Sequence, residues 1–371
     1  MMFKKSYLKF LLVVLMGIFW CILYTKKLDL GQYKNFEKTK YIQYECEEKD
    51  KCDGWGDRLK GVLSTYAFSL LLNRKFTMKM TKGCDLRDIL EPNEINWDHE
   101  KLPKNIDSVE LKFAKRTFFD MFKTDYSLIE KHDNSSLIRV KTVYFLIDAL
   151  FNNKQFKQRI REDLGIYKSD VNVANLLNNW YKKMFKLNKK YQGRYDDLLK
   201  RMKPNTKTSS ICTQIRLGDP DQLQYRDKNL QKDFWKFVNE TFINKFKNTL
   251  FTLYVTSDHE HIKQEAKDLF TGIDVVFNQN SSVHIDSIKE ENQCDQMANI
   301  LLDFHLMQNC DIGVVSHSGF GILALWNRPN PFKDLYVYTV QDQEQMKQNY
   351  WFNRRNMTFK KFSNLNDVFF Q

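Results

Sequence analysis

The chain has 371 residues, 42% of them hydrophobic and 14% aromatic, enough to build a sizeable core in two lobes. With only 13 glycines and 6 prolines, collagen-like and low-complexity classes are excluded. The formal charge of +12 fits nucleic acid, a membrane surface or an anionic ligand, but lysines alternate with acids along most of the chain, as on a solvated surface.

In chain order, Lys4, Lys5 and Lys9 precede an uncharged run from Phe10 to Tyr24, FLLVVLMGIFWCILY. It is short against the about 20 residues of a full span, and Tyr7 and Leu8 extend it if Lys9 snorkels to the interface. No small-x-small cleavage site follows, because the chain goes directly to Thr25-Lys26-Lys27. The expectation is an uncleaved transmembrane signal anchor at 10–25, with residues 1–9 cytosolic and the bulk of the chain luminal. Four Asn-x-Ser/Thr sequons, at Asn134, Asn239, Asn280 and Asn356, agree with a lumen, although chance supplies some in so Asn-rich a chain. Of seven cysteines, Cys21 lies in the anchor; the other six are an even number that permits disulfides in an oxidising compartment. Cys46 and Cys52 flank a short charged segment and are candidates to pair, while the connectivity as a whole stays open. There is no Cys-x-x-Cys and no zinc spacing.

Residues 26–40 read as a short polar stem. Tyr41 to Tyr44 reads as a strand, and CDGWGDRLKG follows at Cys52 to Gly61. Gly54 and Gly56 predict a tight turn that lets a ligand approach the backbone. Asp57 is the expected N-cap of a helix starting at Arg58, whose apolar positions recur at helical spacing to Leu71. Phe76 to Met80 reads as a strand, completing a parallel strand–helix–strand unit. From Lys101 to Lys200 the pattern is less legible, with helices at Val143 to Phe156 and Val173 to Phe185. Past a linker at Pro204 to Lys207, strands at 209–216, 250–256, 274–277, 312–315 and 335–340 alternate with helices at 232–246, 259–270, 296–309 and 320–326. That alternation predicts a doubly wound α/β domain.

Ligands of such sheets bind at the carboxyl ends of strands. In IRLGDPD, Ile215 to Asp221, Arg216 closes a strand and suits a phosphate oxygen, or else pairs with Asp219. In TSDHEH, Thr256 to His261, Ser257 or Asp258 is the expected helix cap, and His259 and His261, with no third ligand in view, are weak evidence for a metal. In GVVSHSGFG, Gly313 to Gly321, Ser316, Ser318 and the amides of Gly319 and Phe320 open a helix, which is either ordinary capping or an anion site. Asp303, on a helix that reads as buried on both sides, needs a partner, either a ligand N–H or a backbone amide.

Together these stretches resemble the fucosyltransferase superfamily that includes the α1,2-, α1,6- and protein O-fucosyltransferases. CTQIRLGD resembles its first motif, His-x-Arg-x-Gly/Thr-Asp; LYVTSD resembles the second; NILLDFHLMQNCDIGVVSHSGFG resembles the third and is the longest match. GWGDRLKGVLSTYAFSLLLNRKF resembles the glycine loop and helix that open the N-terminal lobe. The resemblance covers about Cys52 to Lys82 and Ile211 to Trp326. It implies a GT-B fold of two Rossmann-like lobes around a cleft, with an acceptor lobe at 41–204, a donor lobe at 205–345, and a tail at 346–371 packing back on them. It implies GDP-fucose as donor, a glycan or glycoprotein acceptor, no metal, no nucleic acid, and a single-pass type II place in the Golgi membrane. Arg216 would bind the β-phosphate and stabilise departing GDP, Asp303 would hold the guanine edge, and Ser318 with Gly319 and Phe320 would hold the pyrophosphate. Ser316 and Asp219 would complete the donor site, with Gly54 and Gly56 as a wall and Arg58 as a second cation.

Two departures stand out. Gln214 occupies the place of the first motif's histidine, and the glutamate that α1,6 enzymes carry after that motif is missing, leaving Asp221 ahead of Asp227 as the base. Two other readings remain. Asp219-Pro-Asp221 is formally the DxD signature of metal-dependent glycosyltransferases, though Arg-Leu-Gly precedes it in place of a buried apolar strand. Gln214 and the positive charge also suit a non-catalytic luminal protein that binds glycans or nucleotide sugars.

Overall fold

Alternation along the first strand sorts its side chains onto two faces: Ile42, Tyr44 and Cys46 pack toward the next helix, while Gln43 and Glu45 point the other way. In a computed structural model of the chain, residues 39–113, 132, 134–153, 156–162, 173–218, 230–279, 285, 292–340 and 357–363 are described. The chain divides into Met1–Lys40 and Tyr41–Gln371. The anchor expected at 10–25 and nearly all of the stem lie outside the described residues, and no helix among the described residues is long and apolar enough to cross a membrane.

Strand β1 (Tyr41–Cys46), helix α1 (Trp55–Leu71) and strand β2 (Lys75–Met80) form the expected parallel unit. β2 leads through β3 (Leu90–Pro92) to β4 (Ser108–Phe113), then to β5 (Leu137–Thr142). The four parallel strands lie in the order β2-β1-β5-β4. Neither β4 nor β5 is anticipated by the sequence reading. The helix expected at Val143 to Phe156 begins later, as α2 (Ile147–Asn152), followed by α3 (Lys157–Glu162).

Helix α4 (Val173–Met184), strand β6 (Phe185–Leu187), which pairs with β3, and helix α5 (Lys189–Met202) lead to the second sheet. That sheet contains β7 (Thr208–Ile215), β8 (Leu250–Ser257), β9 (Asp274–Val276), β10 (Ile312–Ser316), β11 (Leu335–Val340) and β12 (Met357–Phe362), in the order β12-β11-β10-β7-β8-β9. All pairs are parallel except β11 with β12. Its helices are α6 (Leu230–Val238), α7 (Glu260–Leu269), α8 (Gln293–Met307) and α9 (Gly319–Trp326). The helix expected over 232–246 ends early, giving way to a π-helical turn at Asn239–Ile243.

One core cluster is shared between elements of both sheets. Trp55 of α1 is 2% exposed and meets Phe185 edge-on at 6.3 Å and Phe304 of α8 at 6.0 Å. Tyr181 of α4 packs on Phe304 at 5.4 Å. Six of the seven cysteines form three disulfides: Cys46–Cys52, Cys84–Cys294 and Cys212–Cys310. The second joins the loop after β2 to the first turn of α8.

Candidate functional site

The glycine loop performs a different task from the one its sequence suggests. The N-cap of α1 is Gly54, three residues before the expected Asp57, so Trp55 and Gly56 lie inside the helix. Gly56 sits against the start of α9: a Cβ there would lie 2.6 Å from both the Gly319 carbonyl carbon and the Phe320 amide nitrogen. The missing side chain admits another helix, not a ligand, at that point. Trp55 anchors the turn in the core, and the left-handed residue before it is Asp53, at φ 54°.

Two helix N-termini from different sheets therefore meet. Neither Gly54 of α1 nor Ser318 of α9 makes a side-chain capping bond. The first intrahelical bond of α9 runs from the Ile322 amide to the Ser318 carbonyl at 3.1 Å, so the amides of Gly319, Phe320 and Gly321 precede the helical ladder. Each helix start carries roughly half a positive charge. Two such ends in contact repel one another and attract an anion. Gly319 is exposed, and Ser318 and Phe320 are half-buried. Phe320 packs edge-on against Phe304 at 5.4 Å.

Arg216 follows β7 directly and is half-buried. Its amide donates to Ser316 Oγ at 3.0 Å, joining the ends of β7 and β10 just before β10 turns into α9. Its guanidinium Nη1 pairs with Asp258 Oδ2 at 3.2 Å. Asp258 also accepts from the amides of Leu217 at 2.8 Å and Gly218 at 2.7 Å. The N-cap of α7 is His259, so Asp258 does not cap that helix; it folds the Arg216–Gly218 loop. Gly218 needs its missing side chain there, at φ 98°. Ser257 Oγ donates to the Ile215 carbonyl at 2.8 Å, and His259 Nε2 lies 3.1 Å from the Gly218 carbonyl oxygen. The second motif thus shapes the first, a role the sequence reading missed although its residues were in view.

Asp303 is 2% exposed, and its Oδ1 accepts a 2.7 Å bond from the Tyr254 hydroxyl of β8. Neither of the two partners considered from the sequence is involved in that bond. Burial, then the Asp303 charge, pushes the Tyr254 phenol far above its ordinary range, so it remains a donor. Arg58 is fully buried; its Nε donates to the Asp53 carbonyl and its Nη1 to the Lys82 carbonyl, both at 3.1 Å. Those bonds make it a clamp between two loops, in place of the second cation expected at the donor. His317, between the two serines, is held neutral by burial, with a pKa of about 4, and its Nδ1 lies 3.2 Å from Thr339 Oγ1.

Gln214, one residue before the end of β7, is 4% exposed, and its Oε1 has no hydrogen-bond partner among the described residues. A Cβ on Gly321 would lie 2.7 Å from that oxygen. Asp219, Asp221 and Asp227 lie outside the described residues. Cys84, Asp88 and Cys294 form a group with metal-ligand spacing, but both cysteines are tied in a disulfide.

No protein-family model and no curated protein matches the chain. Solved structures do. A variant of Arabidopsis thaliana FUT1 in complex with GDP superposes with a TM-score of 0.59 at 14% identity, covering 86% of this chain and 75% of that one. The Bradyrhizobium α-1,6-fucosyltransferase NodZ co-crystallised with GDP gives 0.48 at 13% identity, covering 87% and 99%. POFUT1 in complex with GDP gives 0.44 at 10%, covering 82% and 98%. Over most of its length the chain is similar in structure to fucosyltransferases, and at 14% identity to the Arabidopsis protein the likeness establishes a shared α/β fold.

Proposed function

We propose that the protein is a glycosyltransferase that moves fucose from GDP-fucose to a glycan or glycoprotein acceptor, with inversion and without a metal. The observation that carries this reading is the contact of two helix starts at Gly56 and Gly319, neither capped by a side chain, with the strand-end arginine Arg216 bonded through its amide to Ser316, two residues before the second helix's N-cap. Such a place suits a diphosphate. When the bond from the anomeric carbon to the donor oxygen breaks, negative charge grows on the departing diphosphate, and fixed N–H groups and a guanidinium stabilise that charge without reorganising. Asp258 orients the guanidinium, and Ser316 fixes the backbone that carries it. The fold supports guanosine as the nucleoside, since the similar Arabidopsis FUT1 variant was crystallised with GDP. Asp221 is the proposed base that takes the proton of the attacking acceptor hydroxyl.

The proposed site of action is the Golgi lumen, on a single-pass type II anchor at 10–25. Three disulfides support an oxidising compartment, and the uncharged run from Phe10 to Tyr24 supports the anchor. A second reading, a luminal binding protein without transferase activity, is favoured by Gln214 at the motif-histidine position.

The test is an acceptor screen with labelled GDP-fucose, in EDTA and in manganese. Transfer in EDTA supports the proposal. Transfer that requires manganese supports the DxD alternative. Tight GDP-fucose binding with no transfer to any acceptor supports the binding-protein reading.

A further inference from the structure

Two of the four Asn-x-Ser/Thr sequons fall among the described residues, and the fold treats them differently. The first, Asn134-Ser135-Ser136, lies in a turn that leads into β5. The Ser135 amide closes that turn by donating to the His132 carbonyl at 3.0 Å, which makes Asn134 its third residue. Arg74, 5% exposed, holds the turn from inside: its Nη1 donates to the carbonyls of Ser135 at 2.8 Å and Tyr41 at 3.3 Å. Ser136 is buried too. Its amide donates to Asp107 Oδ2 at 2.8 Å, and its carbonyl accepts from the Tyr41 amide at 2.8 Å. Of the three sequon residues, Asn134 alone is exposed.

The second sequon, Asn239-Glu240-Thr241, opens the π-helical turn that follows α6. Asn239 and Thr241 are half-buried, and Val238 and Phe242 around them belong to a core cluster. The Asn239 carbonyl accepts from the Asn244 amide at 2.8 Å, closing the turn. Asn280 and Asn356 lie outside the described residues.

An attached oligosaccharide is bulky and strongly hydrated, so the asparagine that bears it has to end at the surface of the folded protein. Asn134 meets that condition; Asn239, wedged between two core side chains, does not. The Asn134 turn also precedes the amino end of β5, which runs parallel to β1. One strand length, about 20 Å, separates it from the carboxyl end of that sheet, where the chain leaves β1 toward α1. A glycan there leaves the proposed diphosphate site open.

Resting on the luminal placement proposed above, we propose that Asn134 carries an N-linked oligosaccharide and that Asn239 stays bare. The co-reactant is an oligosaccharide carried on a polyprenyl diphosphate. Asn134 Nδ2 bonds to the anomeric carbon and gives up one proton, while the bond from that carbon to the diphosphate oxygen breaks and its electron pair leaves with the diphosphate. Because Ser136 is buried and its backbone is engaged in the fold, the transfer precedes the docking of this turn against Tyr41 and Arg74.

The test uses the full-length chain expressed in mammalian cells. Protease treatment of sealed microsomes reports whether the domain is luminal. Peptide-N-glycosidase F in heavy-oxygen water, with an enzyme-free control, converts each glycosylated asparagine to a labelled aspartate that peptide mass spectrometry locates. The label is expected at Asn134 and not at Asn239. Asn134→Gln is expected to remove one glycosidase-sensitive mobility step, and Asn239→Gln to remove none. A protease-protected domain with unlabelled Asn134 would overturn the inference alone, and so would a label at Asn239. A protease-accessible domain without glycan would overturn the luminal reading as well.

Discussion

Asp303 shows how far a single residue can be read. A carboxylate on a helix buried from both sides needs a partner, and it has one in Tyr254. The sequence hides that partner because Tyr254 lies in Leu-Tyr-Val, an apolar strand run in which a phenol reads as core. Tyr254→Phe removes the donor while keeping the ring, and is expected to destabilise the fold by about 1–3 kcal/mol, measured as a shift in denaturant midpoint. Arg58 hides its role for the opposite reason. A cation after a glycine loop suggests a ligand, whereas the structure uses its rigid fork to hold two carbonyls. Asp258 is also legible only in part: a short acid before a helix reads as a cap, and it instead gathers the amides of Leu217 and Gly218 and the guanidinium of Arg216. Asp258→Ala releases all three. GDP affinity measured by calorimetry is expected to fall by about tenfold or more, as for a positioning group with charge-assisted bonds.

At the scale of elements, the alternating strands and helices of the second sheet from β7 to β11 were legible nearly to their ends, because 3.6-residue and two-residue periods switch cleanly there, whereas the edge strand β12 falls in a stretch read only as a tail. The first sheet was not. Parallel strands normally read as continuous apolar runs, but β5 carries Arg139 and Lys141 on one face. Lys141 is buried because Asp50 lies 2.9 Å and Glu110 3.1 Å from its Nζ, with Glu45 nearby at 3.8 Å. Charges paired across the sheet therefore erased its sequence signal. The junction of α1 with α9 makes a sharper prediction. Gly56→Ala places a methyl into the Gly319–Phe320 peptide, and overpacking of this kind costs about 1–3 kcal/mol, outweighing the helix propensity gained. Gly193→Ala is the control, since it lies exposed in α5 with nothing within 4 Å of the added atom. It is expected to raise stability by about 0.5–1 kcal/mol. Thermal melts of the two variants should move in opposite directions.

For the whole molecule, Cys84–Cys294 links chain positions 210 residues apart, from the loop after β2 to α8. Even cysteine number was legible, but pairing over such a separation is fixed only by the fold. The double variant Cys84→Ser, Cys294→Ser is expected to lose about 2–5 kcal/mol under oxidising conditions, with the wild type falling toward it on reduction. Acid acts on the whole fold through buried histidines. Burial holds His305 at about 4, below its unfolded value of 6.5, and its Nε2 lies 2.9 Å from the Tyr181 hydroxyl, between α8 and α4. Between those two values the unfolded chain binds the extra proton, so the stability it contributes is complete above 6.5 and is lost as pH falls toward 4. Melting temperature should drop over that window, and His305→Gln should flatten the slope.

The central claim is that two helix starts and Arg216 form a site for a nucleoside diphosphate. Calorimetry of the full-length chain with GDP and UDP, on the wild type and on Arg216→Ala, tests it most directly. The account predicts that GDP binds the wild type more tightly than UDP, and that Arg216→Ala weakens GDP by at least about tenfold, the loss of one charge-assisted contact. Wild-type protein that fails to bind GDP, or GDP affinity that Arg216→Ala leaves unchanged, would contradict it.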